Sequence, residues 1–241
     1  MFLCGDTGEQ VSSQSTGDFI TVNTKDGNGE TIKVSHDLDG DVDALSELYE
    51  DWAETYNQDV SSEDYQAPRY IVRYMETILD HDAVALPTEP NALKINDAGC
   101  GTGLVGVELK KRGYKRVDGF DLSDAMVDVA KDTEAYSRLV GGCDMTKRIK
   151  AFDDDAYDIV LCAGVFTLGH VFPSALIELI HLTKPGGILI ASTRKRYADE
   201  ARFGNFCEHL EGEGRISILD INKNAPYIAE EPAHYWALQA H

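Results

Sequence analysis

The sequence predicts an α/β fold in which helices cover both faces of a doubly wound, mostly parallel β-sheet. Short apolar strand patterns alternate with helical patterns of about ten residues between positions 93 and 192. Glycines follow the first of these strands, and an acidic residue ends the second. With 241 residues and 43% hydrophobic content, the chain can bury one core of this kind.

Six segments have the apolar character of strands. They are Leu93–Ala98, Arg116–Phe120, Ile159–Cys162, Ile188–Ser192, Arg215–Ile221 and Tyr227–Leu238. The short link Asn224-Ala225-Pro226 indicates that the last two strands pair antiparallel at one end of the sheet. Asp118 alternates off the apolar pattern of the second strand, so we expect it at the surface.

Helical periodicity fills the gaps between these strands. The predicted helices are Leu104–Arg112, Asp124–Lys131 with Ser123 as its cap, Pro173–Leu182 and Tyr197–Leu210. The third of them ends before Lys184-Pro185-Gly186-Gly187.

The first 90 residues precede the strand–helix alternation. Residues 1–18 lack periodicity and are predicted to form a mobile tail. Residues 19–35 contain two short β-like runs around a glycine-containing turn, which predicts a hairpin. Apolar residues at steps of three and four predict a helix from Val42 to Tyr56, and a second helix begins near Pro68.

The charge of the chain limits its partners. Formal net charge is −20, from 42 acidic and 22 basic residues. A field of this sign repels phosphate backbones and anionic lipids, so we expect neither a nucleic-acid nor a membrane partner. It favours a neutral or cationic small-molecule substrate. The cluster Arg194-Lys195-Arg196 is too small to track a phosphate backbone.

Five scattered cysteines without CxxC spacing argue against a disulfide framework or a zinc site, so we expect no bound metal. A reducing compartment is then the default. The first residues lack the apolar core of a signal peptide, and no run of about 18 apolar residues occurs. We therefore expect a soluble, cytoplasmic protein that is a monomer or a homodimer.

The most informative stretch is the glycine-rich loop Asp97-Ala98-Gly99-Cys100-Gly101-Thr102-Gly103 after the first strand. Glycines at alternate positions let the backbone turn sharply and approach a ligand, and the helix that follows directs free N–H groups at it. The loop alone is ambiguous, because Gly101 to Gly106 also has the GxGxxG spacing of dinucleotide-binding proteins.

Two acidic residues narrow the ligand class. Asp97 would repel a pyrophosphate, whereas it would attract the ammonium and sulfonium groups of S-adenosylmethionine. At about 5 Å and an effective dielectric of about 20, such a pair contributes on the order of 3 kcal/mol before desolvation. Asp121, at the end of the second strand, can accept both ribose hydroxyls of either cofactor, so it indicates a nucleoside without choosing between them.

The order of these motifs resembles that of class I S-adenosylmethionine-dependent methyltransferases. The stretch from Asp97 to Gly103 is similar to their first motif, and Asp121-Leu122-Ser123 is similar to the second. Later segments that match in order are Cys143-Asp144-Met145, Tyr157-Asp158-Ile159-Val160 and Lys184-Pro185-Gly186-Gly187. Within that class the chain most resembles the methyltransferase-like proteins of the Williams–Beuren region, through Tyr49 to Tyr56, Ala67-Pro68 and Gly169-His170-Val171. The resemblance covers residues 45–195.

The resemblance implies a seven-stranded Rossmann-like methyltransferase fold with an antiparallel last strand. It also implies a core over residues 92–241, an N-terminal helical cap over residues 41–82, and S-adenosyl-L-methionine as cofactor, with S-adenosyl-L-homocysteine as product. Asp144 is expected to meet the exocyclic amine of adenine. The residues expected to bind the cofactor are Tyr56, Asp97, Gly99, Cys100, Gly101, Gly103, Asp121, Leu122, Asp144, Met145 and Ala163.

Methyl transfer from a sulfonium is an in-line displacement, so the protein must align a nucleophile and exclude water. A general base is needed only when the nucleophile arrives protonated. His170 is the candidate catalytic residue, because it lies in the loop after the fourth strand and histidine is the side chain type that can exchange a proton near physiological pH. A capping or packing role for it stays open. The residues expected to bind the methyl acceptor are Tyr49, Trp52, Phe166, His170, Arg194 and Tyr197.

Two other functions compete with methyl transfer. A nicotinamide-dependent oxidoreductase explains the GxGxxG spacing and Asp121, but it does not explain Asp97 or the segment around Asp144. A non-catalytic module that binds the cofactor or a partner uses the same fold, because fold alone does not establish activity. The nature of the acceptor atom (nitrogen, oxygen or sulfur) is open at this stage.

Overall fold

The computed structural model describes residues 41–229 and 231–241, apart from the side chain of Ser62. The predicted tail at 1–18 and hairpin at 19–35 lie outside the described residues. The described part of the chain forms one sheet of seven strands in the order β3-β2-β1-β4-β5-β7-β6. The strands are β1 (Ile95–Ala98), β2 (Val117–Phe120), β3 (Arg138–Val140), β4 (Tyr157–Phe166), β5 (Thr183–Arg194), β6 (Ile216–Ala225) and β7 (Ala233–Ala240).

The strands from β1 to β5 run parallel, whereas β7 is antiparallel to both β5 and β6. This confirms the predicted mostly parallel sheet and its antiparallel end. The strand order reverses between β1 and β4, which are neighbours in the sheet although β2 and β3 lie between them in sequence. In open α/β sheets, ligands bind at such a reversal, beyond the carboxyl ends of the strands.

Helices cover both faces of the sheet. They are α1 (Val42–Trp52), α2 (Tyr56–Ser62), α3 (Ala67–Leu79), α4 (Leu104–Lys111), α5 (Asp124–Lys131), α6 (Leu176–Leu182), α7 (Lys195–Glu200) and α8 (Phe203–Gly212). A 3₁₀ turn at Pro173–Ala175 leads into α6. Helices α3 and α4 pack on one face, and α6 and α8 pack on the other. No helix of the described residues is long and apolar enough to cross a membrane.

The side-chain pattern of β4 explains why this sheet is buried on both sides. Ile159 and Leu161 belong to the core beneath α3 and α4, whereas Val160 and Cys162 belong to the core beneath α6 and α8. Successive side chains of a strand point to opposite faces, so a strand covered on both faces needs an uninterrupted apolar run. That run is the signal from which the strand was predicted.

Helix α5 begins and ends where the sequence predicts. The Ser123 hydroxyl accepts a hydrogen bond from the Met126 N–H at 3.1 Å, which satisfies one of the free donors of the first turn. The Asp41 carboxylate does the same for α1 by accepting from the N–H groups of Asp43 and Ala44, each at 3.1 Å. Local capping chemistry therefore determines where these two helices begin.

Two predicted helices are each broken in two. The periodic stretch from Val42 to Tyr56 forms α1 and the start of α2, and the Trp52 indole N–H donates to the Asp59 carboxylate at 2.7 Å across the break. The stretch predicted as one helix over Tyr197–Leu210 is interrupted at Arg202, whose φ of 52° is left-handed. A left-handed residue ends the i to i−4 bonding, so α7 stops and α8 begins after it.

Two further expectations about the strands need correction. Asp118 is buried rather than at the surface, because the Tyr157 hydroxyl donates to its carboxylate at 2.9 Å and supplies a polar partner inside the fold. The segment Lys184–Gly187 lies within β5 instead of before it, at a register shift where Tyr157 pairs with Thr183 and Ile159 pairs with Ile188. The irregular backbone there includes Gly186, with a φ of +78°.

Candidate functional site

The loop between β1 and α4 forms the floor of the site. Gly99, Gly101 and Gly103 have φ values of +70°, +51° and +88°, a region that favours glycine. A Cβ atom on Gly99 would overlap Val165 Cγ2, whereas one on Gly101 would meet nothing within 4 Å. The loop therefore needs glycine at 99 for close packing, and at 101 it leaves backbone exposed to a ligand.

Another glycine of the GxGxxG spacing has a different purpose. A Cβ atom on Gly106 would overlap the ring of Tyr136. The Gly106 N–H donates to the Tyr136 hydroxyl at 3.1 Å, and that hydroxyl donates to Asp97 Oδ2 at 2.6 Å. Gly106 makes room for a tyrosine, so the spacing is explained here without a pyrophosphate. Sequence analysis missed Tyr136, which precedes β3 and carries no motif.

Asp97 is fully buried beneath the glycine loop. Burial raises the pKa of its carboxyl to about 7, with the Tyr136 hydrogen bond opposing this rise and the charge of Asp121 adding to it. Its Oδ1 atom has no hydrogen-bond partner among the described residues. A buried carboxylate oxygen without a partner fits a cationic group of a ligand.

Asp121 follows β2 and holds the loop in place. Its Oδ2 atom accepts from the Gly101 N–H at 2.8 Å, and its Oδ1 atom accepts from the Ser123 N–H at 3.0 Å. Burial raises the pKa of Asp121, while these backbone hydrogen bonds offset part of the rise. The carboxylate also lines the cavity described next, so it can bind both the loop and a ligand.

A cavity of about 720 Å³ opens beyond the carboxyl ends of β1, β2 and β4, where the strand order reverses. Eight of the eleven predicted cofactor residues line it, namely Tyr56, Gly99, Gly101, Asp121, Leu122, Asp144, Met145 and Ala163. Cys100 lines a neighbouring cavity of about 290 Å³, which Tyr56 also lines. Asp97 and Gly103 line neither cavity and support the loop from below.

Several residues that line the large cavity were not predicted from the sequence. They are Val42, Leu45, Met126, Cys143, Gly164, Val165 and Val171. Cys143 belongs to a segment that resembles the family but was assigned no role, and Gly164 directly follows the predicted Ala163. Val42 and Leu45 reach the site only because α1 lies over it, and no motif marks that packing.

Asp144 lines the large cavity, and its carboxylate is bonded to residues of its own loop. Its Oδ1 atom accepts from the Thr146 N–H at 2.8 Å and from the Thr146 hydroxyl at 2.6 Å. Lys147 Nζ lies 2.9 Å from Oδ2. Partial burial opposes ionisation, but these partners hold the pKa of Asp144 below its usual value. The side chain is therefore a charged acceptor facing the cavity.

Helix α1 lies over the large cavity and also over a second cavity beside it. Tyr49 stacks on Trp52 with ring centroids 5.7 Å apart, and Trp52 meets the edge of Tyr56 at 4.7 Å. Glu50 Oε1 accepts from the Ser123 hydroxyl at 2.9 Å, and the Glu50 carboxylate also accepts from the Ala125 N–H. This carboxylate fastens α1 to the N-terminus of α5, where negative charge is stabilising. Sequence analysis missed Glu50.

A second cavity of about 430 Å³ adjoins the first. The two share Tyr49, Tyr56, Gly164 and His170 as lining residues. His170 is buried, lies 3.4 Å through Nε2 from the Tyr49 hydroxyl, and also lines a third groove near Phe172. His170 therefore stands where the three spaces meet.

The predicted acceptor residues separate into two groups. Tyr49, Trp52, His170 and Arg194 meet around the second cavity. Phe166 lies in the core instead, with its ring centroid 5.1 Å from that of Phe203. The Tyr197 hydroxyl donates to the Val171 carbonyl at 2.7 Å, and its side chain lines only the third groove. Among the described residues, no group of His, Cys, Asp and Glu side chains has a metal-binding arrangement.

Comparisons with known proteins find relatives for the part of the chain that holds this site. Residues 96–191 match the family model described as a methyltransferase domain. Over 163 residues the chain is 34% identical to human Methyltransferase-like protein 27, covering 68% of this chain and 62% of that protein. Over 124 residues it is 33% identical to the malonyl-[acyl-carrier protein] O-methyltransferase of Serratia marcescens, covering 51% and 46%. The chain thus spans less than two thirds of both relatives.

A solved structure shows the same fold. It is the TehB-like SAM-dependent methyltransferase from Corynebacterium glutamicum, which matches with a TM-score of 0.56 and 20% identity over 80% of this chain and 98% of that one.

The cofactor of this class fits the residues present. The open backbone at Gly101 and the cavity-lining Asp121 suit a nucleoside, and the unpartnered Asp97 oxygen suits a positive charge. The family match and the human relative bear out the resemblance of this chain to class I S-adenosylmethionine-dependent methyltransferases, whose cofactor, S-adenosyl-L-methionine, suits these residues better than a dinucleotide does.

Proposed function

We propose that this chain transfers a methyl group to a nitrogen, oxygen or sulfur atom of a small molecule. The observation that carries the proposal is the second cavity, which adjoins the cofactor cavity and shares four lining residues with it. Its lining of aromatic side chains with His170 and Arg194 suits a small acceptor.

Different residues of the chain bind different parts of the cofactor. Asp121 and the backbone at Gly101 hold the nucleoside end, Asp144 holds the adenine end, and Asp97 contributes negative charge from beneath the glycine loop. When bound, the cofactor supplies an electrophilic methyl group on a sulfonium. Helices α1 and α2 act as a cap: their aromatic side chains exclude water and leave the acceptor as the nucleophile within reach.

His170 is the general base in this proposal, assisted by the hydroxyl of Tyr49. It lines both cavities, so it can reach a proton on an acceptor that sits between them. Replacing it by glutamine should lower kcat by about a hundredfold or more for an acceptor that binds protonated. Affinity for S-adenosylhomocysteine, measured by calorimetry, should change little. An unchanged kcat would remove the base role and leave His170 a packing residue.

The proposed function is tested by calorimetry with S-adenosylhomocysteine and by turnover on a library of small acceptors. The wild-type protein should bind the nucleoside and methylate at least one acceptor. Asp121→Ala should lose both properties, because it removes the carboxylate that holds the loop and faces the ligand. Asp128→Ala, an exposed acidic residue on α5, is the matched control and should retain both.

Two outcomes would contradict the proposal. Absence of nucleoside binding by the wild-type protein would remove the methyltransferase assignment of the site. Binding without turnover on any acceptor would favour the non-catalytic, cofactor-binding or partner-binding module instead.

A further inference from the structure

Arg194 is a positively charged side chain that lines the second cavity, which is called the acceptor cavity from here on. It ends β5, and its side chain is only 14% exposed. Of the described residues that line the four cavities above, it is the only lysine or arginine. It shares the second cavity with His170 and Tyr49, so a group bound to it lies in the same space as the proposed base.

The hydrogen-bonding capacity of Arg194 is only partly used. A guanidinium has five N–H donors. Nη1 lies 3.7 Å from Glu231 Oε2, which is too far for a hydrogen bond. The guanidinium donates to the Tyr227 hydroxyl, and its Cζ lies 5.4 Å from the centroid of that ring. Nε is buried and has no hydrogen-bond partner among the described residues. A buried donor of this kind costs free energy until a ligand satisfies it.

We propose that Arg194 binds a carboxylate of the methyl acceptor, so that the substrate is a small organic acid. This inference rests on the proposed function and names the substrate class for the same site. A planar guanidinium matches a carboxylate by two parallel N–H···O bonds, a geometry that an ammonium group cannot provide. The acid group is an anchor, which leaves a different atom of the molecule to receive the methyl group near His170.

The walls of the cavity indicate the rest of the acceptor. Five aromatic side chains surround the space, namely Tyr49, Trp52, Tyr56, Tyr65 and Tyr227. Flat apolar faces with hydroxyl groups at their edges suit an aromatic or similarly flat body. An aromatic carboxylic acid therefore satisfies both the cation and the walls.

The acidic residues near Arg194 favour a single negative charge. Glu63 lines the same cavity, and Glu231 lies beside the guanidinium. Both carboxylates repel an anion, and this repulsion grows with the charge of the anion, so a monoanion held by two hydrogen bonds from the guanidinium suits the cavity better than a dianion such as a phosphate. The proposal differs from the neutral or cationic substrate that the net charge of the chain favours, because the cavity responds to its nearest charges and distant ones are screened.

The test compares benzoate with benzamide, which have the same shape and differ in charge. Both are titrated into the protein loaded with S-adenosylhomocysteine. The wild-type protein should bind benzoate at least about tenfold more tightly than benzamide. Arg194→Gln should bring the two affinities close together without changing the affinity for S-adenosylhomocysteine. Arg196→Gln removes the same charge from an exposed residue paired with Glu200, so it should keep the preference.

A second variant keeps the proposal testable if Arg194→Gln fails to fold. Glu63→Gln removes a competing carboxylate from the cavity, so it should tighten benzoate binding and leave benzamide binding unchanged. Equal affinities in the wild-type protein, no benzoate binding at millimolar concentration, or a preference that survives Arg194→Gln would each overturn the inference. If the wild-type protein does not bind S-adenosylhomocysteine at all, that result refutes the proposed function itself and is distinct from the outcomes above.

Discussion

Asp97 shows how a buried carboxyl links the site to pH. Its pKa is about 7 in the folded chain, because burial disfavours the charged form, whereas an unfolded aspartate has a pKa of about 3.9. The folded state therefore holds this proton more tightly than the unfolded state does. The free energy of unfolding should fall as pH rises from about 4 to 7, and above that range the full cost of the buried charge is present.

This cost predicts the behaviour of Asp97→Asn without cofactor. The variant keeps the shape and removes the buried charge, so it should be more stable than wild type at pH 8, by on the order of 2–4 kcal/mol. At pH 4 the gain should be much smaller, because the folded carboxyl is then protonated and the unfolded one is about half protonated, so little of the cost of the buried charge remains. Thermal unfolding at the two pH values measures the difference. An equal effect at pH 4 and pH 8 would contradict this account, and exposed Asp128→Asn is the control.

The residues that sequence analysis missed share one property. Tyr136 and Glu63 carry no motif, and Glu50 lies in a matching stretch that assigns it no role. Each meets the site only through packing between distant parts of the chain. Asp97 and Asp121 were predictable because the glycine loop and the strand ends place them by local rules. Phe166 was placed by proximity in sequence to His170, but strand alternation turns its side chain into the core.

At the scale of elements, α1 is held over the site by one carboxylate. Glu50 accepts hydrogen bonds from the Ser123 hydroxyl and the Ala125 N–H at the start of α5. Glu50→Ala should loosen this cap, weaken S-adenosylhomocysteine binding by about three- to tenfold, and speed proteolysis between residues 41 and 62. Calorimetry and limited proteolysis, with and without the nucleoside, measure both effects. Asp51→Ala, its exposed neighbour on the same helix, should behave as wild type.

Most strands and helices followed from local patterns, and their interruptions did not. Helix α5 has the predicted bounds because Ser123 caps it and the apolar spacing continues to Lys131. The break between α1 and α2 instead coincides with a side-chain bond from Trp52 to Asp59, and the break before α8 depends on one left-handed residue, Arg202. Strand β3 has only three residues and is partly exposed, so its apolar signal is too weak to recognise.

At the scale of the whole molecule, the sheet topology brings the residues of the site together. The reversal of strand order brings the loop after β1 beside the end of β4, so Gly99 meets Val165 although 66 positions separate them in the sequence. Alternating strands and helices predict such a reversal, and with it the general location of the site. They do not predict which side chains close the acceptor cavity, since those come from α1, α2, β5 and the segment before β7.

The two adjoining cavities share a wall made of Tyr49, Tyr56, Gly164 and His170. A ligand that orders these four residues in one cavity reduces the entropy cost of binding a ligand in the other cavity. Thermodynamic linkage then requires reciprocity: the factor by which S-adenosylhomocysteine tightens an acceptor must equal the factor by which that acceptor tightens S-adenosylhomocysteine. Calorimetric titrations in the two orders of addition should therefore give the same coupling factor.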